Sequence, residues 1–186
     1  LGLRLCDGDV VGWLCSDDVL APGAAEAIAT AAAARADACW FAGATRMMAQ
    51  DGTPGVLLRP SGDFTLAGTL LRGPARPFEL PQPGVYWRRE LHDRLGLLRE
   101  DLHYCMDFEW WLRLLADGRS PVVLEAEIAR YRLHEASKTC ARPDGFLREH
   151  LVVERAYARQ LPLPDRLRMA RRLGYERRPF ATARSP

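Results

Sequence analysis

Two adjacent carboxylates follow a short apolar segment near the start of this 186-residue chain. Residues 10–14 are mostly apolar and predict a buried strand. Asp17 and Asp18 follow shortly after it, and Pro22 suits the first turn of a helix. Ligands of open α/β sheets bind beyond the carboxyl ends of the strands, so the two acids would face a crevice. Paired carboxylates there could bind a hard cation such as Mg²⁺ or Mn²⁺. Alternatively, they cap the next helix and interact with its dipole.

Asp107 lies at the start of a second predicted helix, and no basic residue stands three or four positions after it. Trp110 and Trp111 occupy those positions. An unpaired acid beside aromatic rings can have a raised pKa and act as a general base. The alternative is a first-turn acid that interacts with the helix dipole. Glu109, in contrast, precedes Arg113 by one turn, which predicts an ion pair.

His134 follows a predicted strand over residues 121–131. If that strand runs parallel to residues 10–14, His134 lies at the same sheet edge as Asp17 and Asp18. We therefore regard it as a candidate third ligand. The other histidines have no such setting and are expected to be surface or packing residues, namely His92, His103 and His150.

The elements that position these residues alternate between strands and helices. Strand 10–14, helix 24–35 and strand 38–45 form one predicted βαβ unit, and Gln50-Asp51-Gly52-Thr53 predicts a hairpin turn. The remaining predicted elements are a helix near 64–71, a strand at 85–87, and helices at 88–95, 106–117 and 145–160. This order indicates an α/β protein with a mostly parallel sheet flanked by helices.

Composition excludes several classes of protein. Five cysteines form no C-x-x-C pair, which disfavours a disulfide framework or a zinc motif and favours a reducing, cytoplasmic compartment. The net charge is only +2, Lys138 is the single lysine, and basic residues are not interleaved with aromatic ones. We therefore expect no nucleic-acid partner. No apolar run is long enough to span a membrane.

Four segments together resemble family 2 glycosyltransferases of the GT-A fold. Residues 8–24 resemble the D-x-D segment of that family, and residues 81–90 its acceptor-side strand and helix. Residues 102–113 resemble its catalytic-base segment, and residues 129–137 its late R-x-H-x-x-S segment. Four segments in the right order are more specific than any one alone.

The resemblance implies roles for individual residues. Asp17 matches the second acid of D-x-D, which is the metal ligand that holds the nucleotide diphosphate, and Asp18 is a supporting acid. Asp107 matches the base that deprotonates the acceptor hydroxyl in inverting members. His134 matches a histidine at the metal or diphosphate. Cys15 departs from the pattern, because it stands where the first acid of D-x-D would be.

The resemblance also implies an activity and a domain organisation. We expect transfer of a sugar from a nucleotide-diphosphate sugar to a glycan or other hydroxyl acceptor, with Mg²⁺ or Mn²⁺, in the synthesis of a polysaccharide or cell-surface glycan. Residues 1–160 would be the C-terminal part of a GT-A-like (Rossmann-like) catalytic domain that lacks its N-terminal nucleotide-binding half. Residues 161–186 are an arginine-rich tail, either a solvated helix face or a helix in contact with the inner surface of a membrane.

Two other functions stay open at this point. The chain could be an inactive, truncated remnant or a sugar-binding module. It could also be a metal-dependent phosphohydrolase that uses Asp17, Asp18 and His134.

Overall fold

A mixed six-stranded sheet organises the protein in the computed structural model, which describes residues 2–72, 80–135, 137 and 143–176. The strands are β1 (Val10–Val11), β2 (Val19–Leu20), β3 (Trp40–Met48), β4 (Pro54–Leu58), β5 (Val85–Arg88) and β6 (Val122–Arg132). The helices are α1 (Gly2–Leu5), α2 (Ala24–Ala34), α3 (Leu66–Arg72), α4 (Leu91–Leu95), α5 (Met106–Ala116), α6 (Pro143–Ala158) and α7 (Leu163–Glu176), with a 3₁₀ turn at Gln82–Gly84. The α/β class predicted from the sequence is confirmed.

The orientation of the strands differs from the prediction. β3 pairs with β6 in parallel along one edge, and with β5 and β4 antiparallel along the other. β1 pairs antiparallel with β5, and β2 pairs antiparallel with β6. Within the described residues only the β3–β6 pairing is parallel, so the prediction of a mostly parallel sheet is wrong.

Short connections and short strands explain this difference. The turn between β3 and β4 is too short for the crossover of a dozen or more residues that a parallel pair requires. The predicted strand over residues 10–14 ends after Val11, because the chain there crosses the ring of Tyr86. A Cβ atom at Gly12 would lie 2.7 Å from that ring, so this crossing requires glycine. β1 and β2 are therefore two short strands, and each pairs antiparallel with a different neighbour.

Several local predictions are confirmed. The Gln50–Thr53 turn joins β3 and β4, with the Thr53 N–H donating to Asp51 Oδ1 at 2.9 Å and Gly52 at a φ of 90°. The helix predicted over 106–117 is α5, which ends at Ala116 and is followed by Gly118, where φ is 78°. α2 and α3 also match their predicted positions, whereas α1 was not predicted.

Tryptophan side chains form the centre of the core between α5 and the sheet. Trp40, Trp87 and Trp110 are fully buried. Trp111 stacks on Trp40 and on Trp13, with ring centroids 6.0 and 6.1 Å apart. The predicted Glu109–Arg113 ion pair forms on the same helix, and the Arg113 guanidinium lies 5.0 Å from the centre of the Trp110 ring.

A second apolar cluster joins α6 and α7 to this core. Leu70 of α3, Leu112 of α5, Val153 of α6 and Met169 of α7 are buried together. Arg172 of α7 donates to the fully buried Glu154 at 2.6 Å. Arg172 thus packs against the protein, whereas Arg166, Arg168 and Arg171 of the same helix are exposed, and residues 177–186 lie outside the described residues. No helix in the described ranges is long and apolar enough to cross a membrane.

The close approach of β3 to Ile128 gives a prediction about stability. A Cβ atom at Gly43 would lie 2.1 Å from Ile128 Cγ1, whereas one at Gly174 in α7 would meet nothing within 4 Å. We expect Gly43→Ala to lower the free energy of unfolding by about 1–3 kcal/mol. Gly174→Ala should raise it by up to about 1 kcal/mol through helix propensity. Urea denaturation measures both, and an unchanged midpoint for Gly43→Ala would contradict the packing described here.

Candidate functional site

A tight turn brings Cys15, Asp17 and Asp18 together. The Asp18 N–H donates to the Cys15 carbonyl at 3.1 Å, which closes the turn just before β2. The Cys15 sulfur and one carboxylate oxygen from each aspartate lie within 4.8 Å of one another. Gln82 holds the segment from outside, because its Nε2 donates to the Trp13 carbonyl at 2.6 Å and its Oε1 accepts from Cys15 Sγ at 3.6 Å.

Asp18 is buried, with 7% of its surface exposed. Its Oδ1 accepts the backbone N–H of Arg132 at 2.9 Å. Its Oδ2 has no hydrogen-bond partner within the described part of the chain. Burial raises the pKa of Asp18 to about 6, against the opposing effect of the Arg132 N–H. The unmatched oxygen can therefore be satisfied by a proton or by a cation.

Asp17 is more exposed and contacts His134. His134 Nε2 and Asp17 Oδ2 are 2.8 Å apart. This hydrogen bond is the main cause that lowers the pKa of Asp17 below its ordinary value. The predicted proximity of the two residues is confirmed, but the predicted reason is wrong. They meet because the turn before β2 lies beside the end of β6 in an antiparallel pair.

Arg132 fixes the turn to the β3–β4 hairpin. Its Nε donates to the Asp17 carbonyl at 2.9 Å, and its Nη1 donates to the Gln50 carbonyl at 2.8 Å. The sequence reasoning missed this residue, because its partners are backbone atoms that any residue type provides. Its position two residues before His134 was the one available signal.

Asp107 lies on the first turn of α5 and is partly buried. Its Oδ1 accepts the Phe108 N–H at 2.7 Å. Burial raises the pKa of Asp107 to about 6, and the nearby Glu149 carboxylate adds to the increase. This agrees with the expectation for an acid without a basic partner.

One aromatic contact connects the helix of Asp107 with the segment that leads into the acidic turn. Trp111, one helical turn after Asp107, stacks on Trp13, and Trp13 leads directly into the turn at Cys15. Among the described residues, no hydrogen bond or ion pair joins Asp107 to Asp17 or Asp18. Asp107 and the acidic turn could therefore act together only through a substrate that contacts both.

Glu149 of α6 holds the loop that precedes α5. Its carboxylate accepts three backbone N–H groups, from His103 at 2.8 Å, Tyr104 at 2.5 Å and Cys105 at 2.8 Å. Burial acts to raise the pKa of Glu149, but these donors together lower it below the ordinary value. Sequence reasoning missed Glu149, since it lies more than forty residues from its backbone partners.

The remaining histidines are packing or surface residues, as expected. His92 Nε2 accepts from Trp87 Nε1 at 2.9 Å. His150 is buried and stacks on Phe108 with ring centroids 3.9 Å apart, and burial lowers its pKa to about 4. His103 lies at the surface.

The chemistry of the donor set fits a divalent cation. Two carboxylates and a thiol converge, and one buried carboxylate oxygen has no other partner among the described residues. Carboxylate oxygens bind Mg²⁺ and Mn²⁺, and a histidine bonded to a ligating carboxylate fixes its orientation.

Comparison with known proteins does not assign the chain to a family. No model of a known protein family matches it, and a search of curated proteins finds no significant match.

The raised pKa of Asp107 gives a prediction about stability and pH. In the unfolded chain its pKa returns to about 3.9, so the native state binds the proton more tightly and loses stability as the pH rises through 6. We expect Asp107→Asn to raise the free energy of unfolding by about 3 kcal/mol above pH 7, with no gain below pH 4. Denaturant titrations across this range measure the effect. Asp101→Asn, at an exposed acid paired with Arg99, should show no such gain.

The contacts of Glu149 give a second prediction. Glu149→Gln replaces one acceptor oxygen by an amide that cannot accept the loop N–H groups, so stability should fall by about 1–3 kcal/mol. Removal of the negative charge should also lower the pKa of Asp107, which carbon-13 NMR of the carboxyl group measures. Glu26→Gln, at an exposed position on α2, is the matched control. An unchanged Asp107 pKa would show that the two carboxyl groups are not coupled.

Proposed function

We propose that this protein is a glycosyltransferase that moves a sugar from a nucleotide-diphosphate sugar to an acceptor hydroxyl. The observation that supports this most strongly is the 2.8 Å contact between His134 and Asp17. These residues are 117 positions apart, and both match metal or diphosphate residues in the segments that resemble family 2 glycosyltransferases. The GT-A type of fold is part of the same proposal.

Asp17 and Asp18 bind the divalent cation in this proposal, and Mg²⁺ or Mn²⁺ is the cation that the resemblance implies. The cation, when bound, neutralises charge on the leaving diphosphate. His134 orients the Asp17 carboxylate through their hydrogen bond. Arg132 keeps the turn in place from the side of the β3–β4 hairpin.

Asp107 is the proposed general base. With a pKa of about 6 it is mostly ionised at neutral pH, yet it is a stronger base than an exposed aspartate. The acceptor oxygen attacks the anomeric carbon, its proton passes to Asp107, and the bond from that carbon to the diphosphate oxygen breaks. Attack from the face opposite to the leaving group inverts the anomeric configuration.

The location of the reaction belongs to the same proposal. We place the reaction in the cytoplasm, where nucleotide-sugars are available and thiols stay reduced. The cysteines in the described residues are all free thiols. The exposed arginines of α7, Arg166, Arg168 and Arg171, could support peripheral contact with a membrane that carries the acceptor.

A metal-dependent phosphohydrolase is the second candidate. The cluster of Cys15, Asp17 and Asp18 favours it, because phosphate hydrolysis needs a cation site but no sugar acceptor. The two functions differ in their need for Asp107 and for an acceptor. A sugar-binding module would bind the donor without turnover.

Activity assays with variants test the proposal. Incubation with a panel of nucleotide-sugars, hydroxyl acceptors and a divalent cation should release nucleoside diphosphate and glycosylate the acceptor, as measured by mass spectrometry. Asp107→Asn should lower the rate by about 100-fold or more. Asp17→Asn should do the same through loss of the cation. Asp101→Asn, an exposed carboxylate outside the site, should leave the rate unchanged.

Each alternative gives a different result in these assays. Wild-type rates for Asp107→Asn would contradict the assignment of the base. Phosphate release that needs Asp17 but neither Asp107 nor an acceptor would identify a phosphohydrolase. Donor binding without product would identify a binding module.

A further inference from the structure

We propose that Cys15, Asp17 and Asp18 form a thiolate–dicarboxylate site that selects a borderline-soft divalent cation such as Zn²⁺ over Mg²⁺. This inference rests on the proposed function for the role of the cation, and it names the class of metal that the site takes. The presence of the site itself is measured by binding and needs no transfer activity.

Three ligand atoms converge on one turn. The sulfur of Cys15 and a carboxylate oxygen from each aspartate lie within 4.8 Å of one another. This spacing allows a single ion to contact all three after small side-chain rotations. The turn is closed by the Asp18 N–H bond to Cys15 and held by Arg132, so the backbone is fixed before an ion binds.

One carboxylate oxygen of Asp18 is buried in this turn. The side chain is more than nine-tenths buried, and its Oδ1 is held by the Arg132 N–H. Its Oδ2 has no hydrogen-bond partner among the described residues. A buried carboxylate oxygen without a partner costs free energy, and native proteins rarely leave one without a reason. A cation between Asp18 and Cys15 supplies that partner.

The ligand atoms differ in the class of metal that they prefer. A hard cation such as Mg²⁺ prefers oxygen ligands only, whereas thiolate ligands select Zn²⁺ and similar metals. Three protein ligands leave an open position on a four-coordinate ion, as in sites where substrate or water binds the metal. His134 fixes Asp17 from outside this set, which is a common arrangement around ligating carboxylates.

Titration with Co²⁺ as a spectroscopic probe tests the site in the full chain, after treatment with a chelator and under reducing conditions. A thiolate ligand gives Co²⁺ a charge-transfer band in the near ultraviolet. We expect this band to appear with one equivalent of Co²⁺ and to vanish when Zn²⁺ is added. A large excess of Mg²⁺ should leave the band unchanged.

Two substitutions at Cys15 separate the thiolate from the rest of the site. Cys15→Ser should abolish the band and weaken Zn²⁺ binding by about tenfold or more. Cys15→Asp should also abolish the band, but calorimetric titration should show that Mg²⁺ competes with Co²⁺ about tenfold better because the ligands become all oxygen. Cys6→Ser, at an exposed cysteine in a different segment, should keep the wild-type spectrum. Circular dichroism verifies that each variant folds, and Cys15 is exposed, so folding should be retained.

Several results would overturn the inference. These are a folded wild-type protein without the band, a band that persists in Cys15→Ser, Co²⁺ affinity unaffected by Asp18→Asn, or efficient displacement of Co²⁺ by Mg²⁺. If the band appears as described but no sugar is transferred from any donor, the metal site stands and the proposed function fails. If sugar is transferred with Mg²⁺ alone and the band is absent, the proposed function stands and this inference fails.

Discussion

The antiparallel pairing of β2 with β6 is the interaction on which the candidate site depends. Val19 lies opposite Arg130, so the turn before β2 is placed beside the last residues of β6. From there the Arg132 N–H reaches Asp18, and His134 reaches Asp17. β2 contributes only two residues to the sheet, so these side-chain contacts hold the register as much as the ladder does.

The site concentrates groups that are costly to the folded state. Asp18 and Asp107 are acids whose pKa burial raises to about 6, and one oxygen of the Asp18 carboxylate has no hydrogen-bond partner among the described residues. Perturbed carboxyl groups of this kind cluster at functional sites, where the rest of the fold compensates for their cost. Here the compensation comes from the tryptophan core on one side of α5 and from the α3–α6–α7 cluster on the other.

Local sequence patterns predicted the elements well and their arrangement poorly. The hairpin turn at Gln50–Thr53 and the helix that ends before Gly118 depend on nearby residues, and both were predicted. Strand orientation depends on pairings between distant segments, and two-residue strands carry too little pattern to reveal a direction. The contact of Asp17 with His134 was predicted from a parallel geometry that does not occur. The contacts of Arg132 and Glu149 were not predicted, because their partners are backbone groups that every residue type provides.

The aromatic core has a consequence for how this protein can be observed. Each of the five tryptophans has another tryptophan ring centroid within about 6 Å, and together they form a single group: Trp13, Trp40, Trp87, Trp110 and Trp111. Fluorescence from these rings reports on one small volume between α5 and the sheet. Detachment of α6 and α7 would leave that signal nearly unchanged. A single-transition unfolding curve from fluorescence would then describe only part of the molecule, and helical circular dichroism is the second probe needed to show that the whole chain unfolds together.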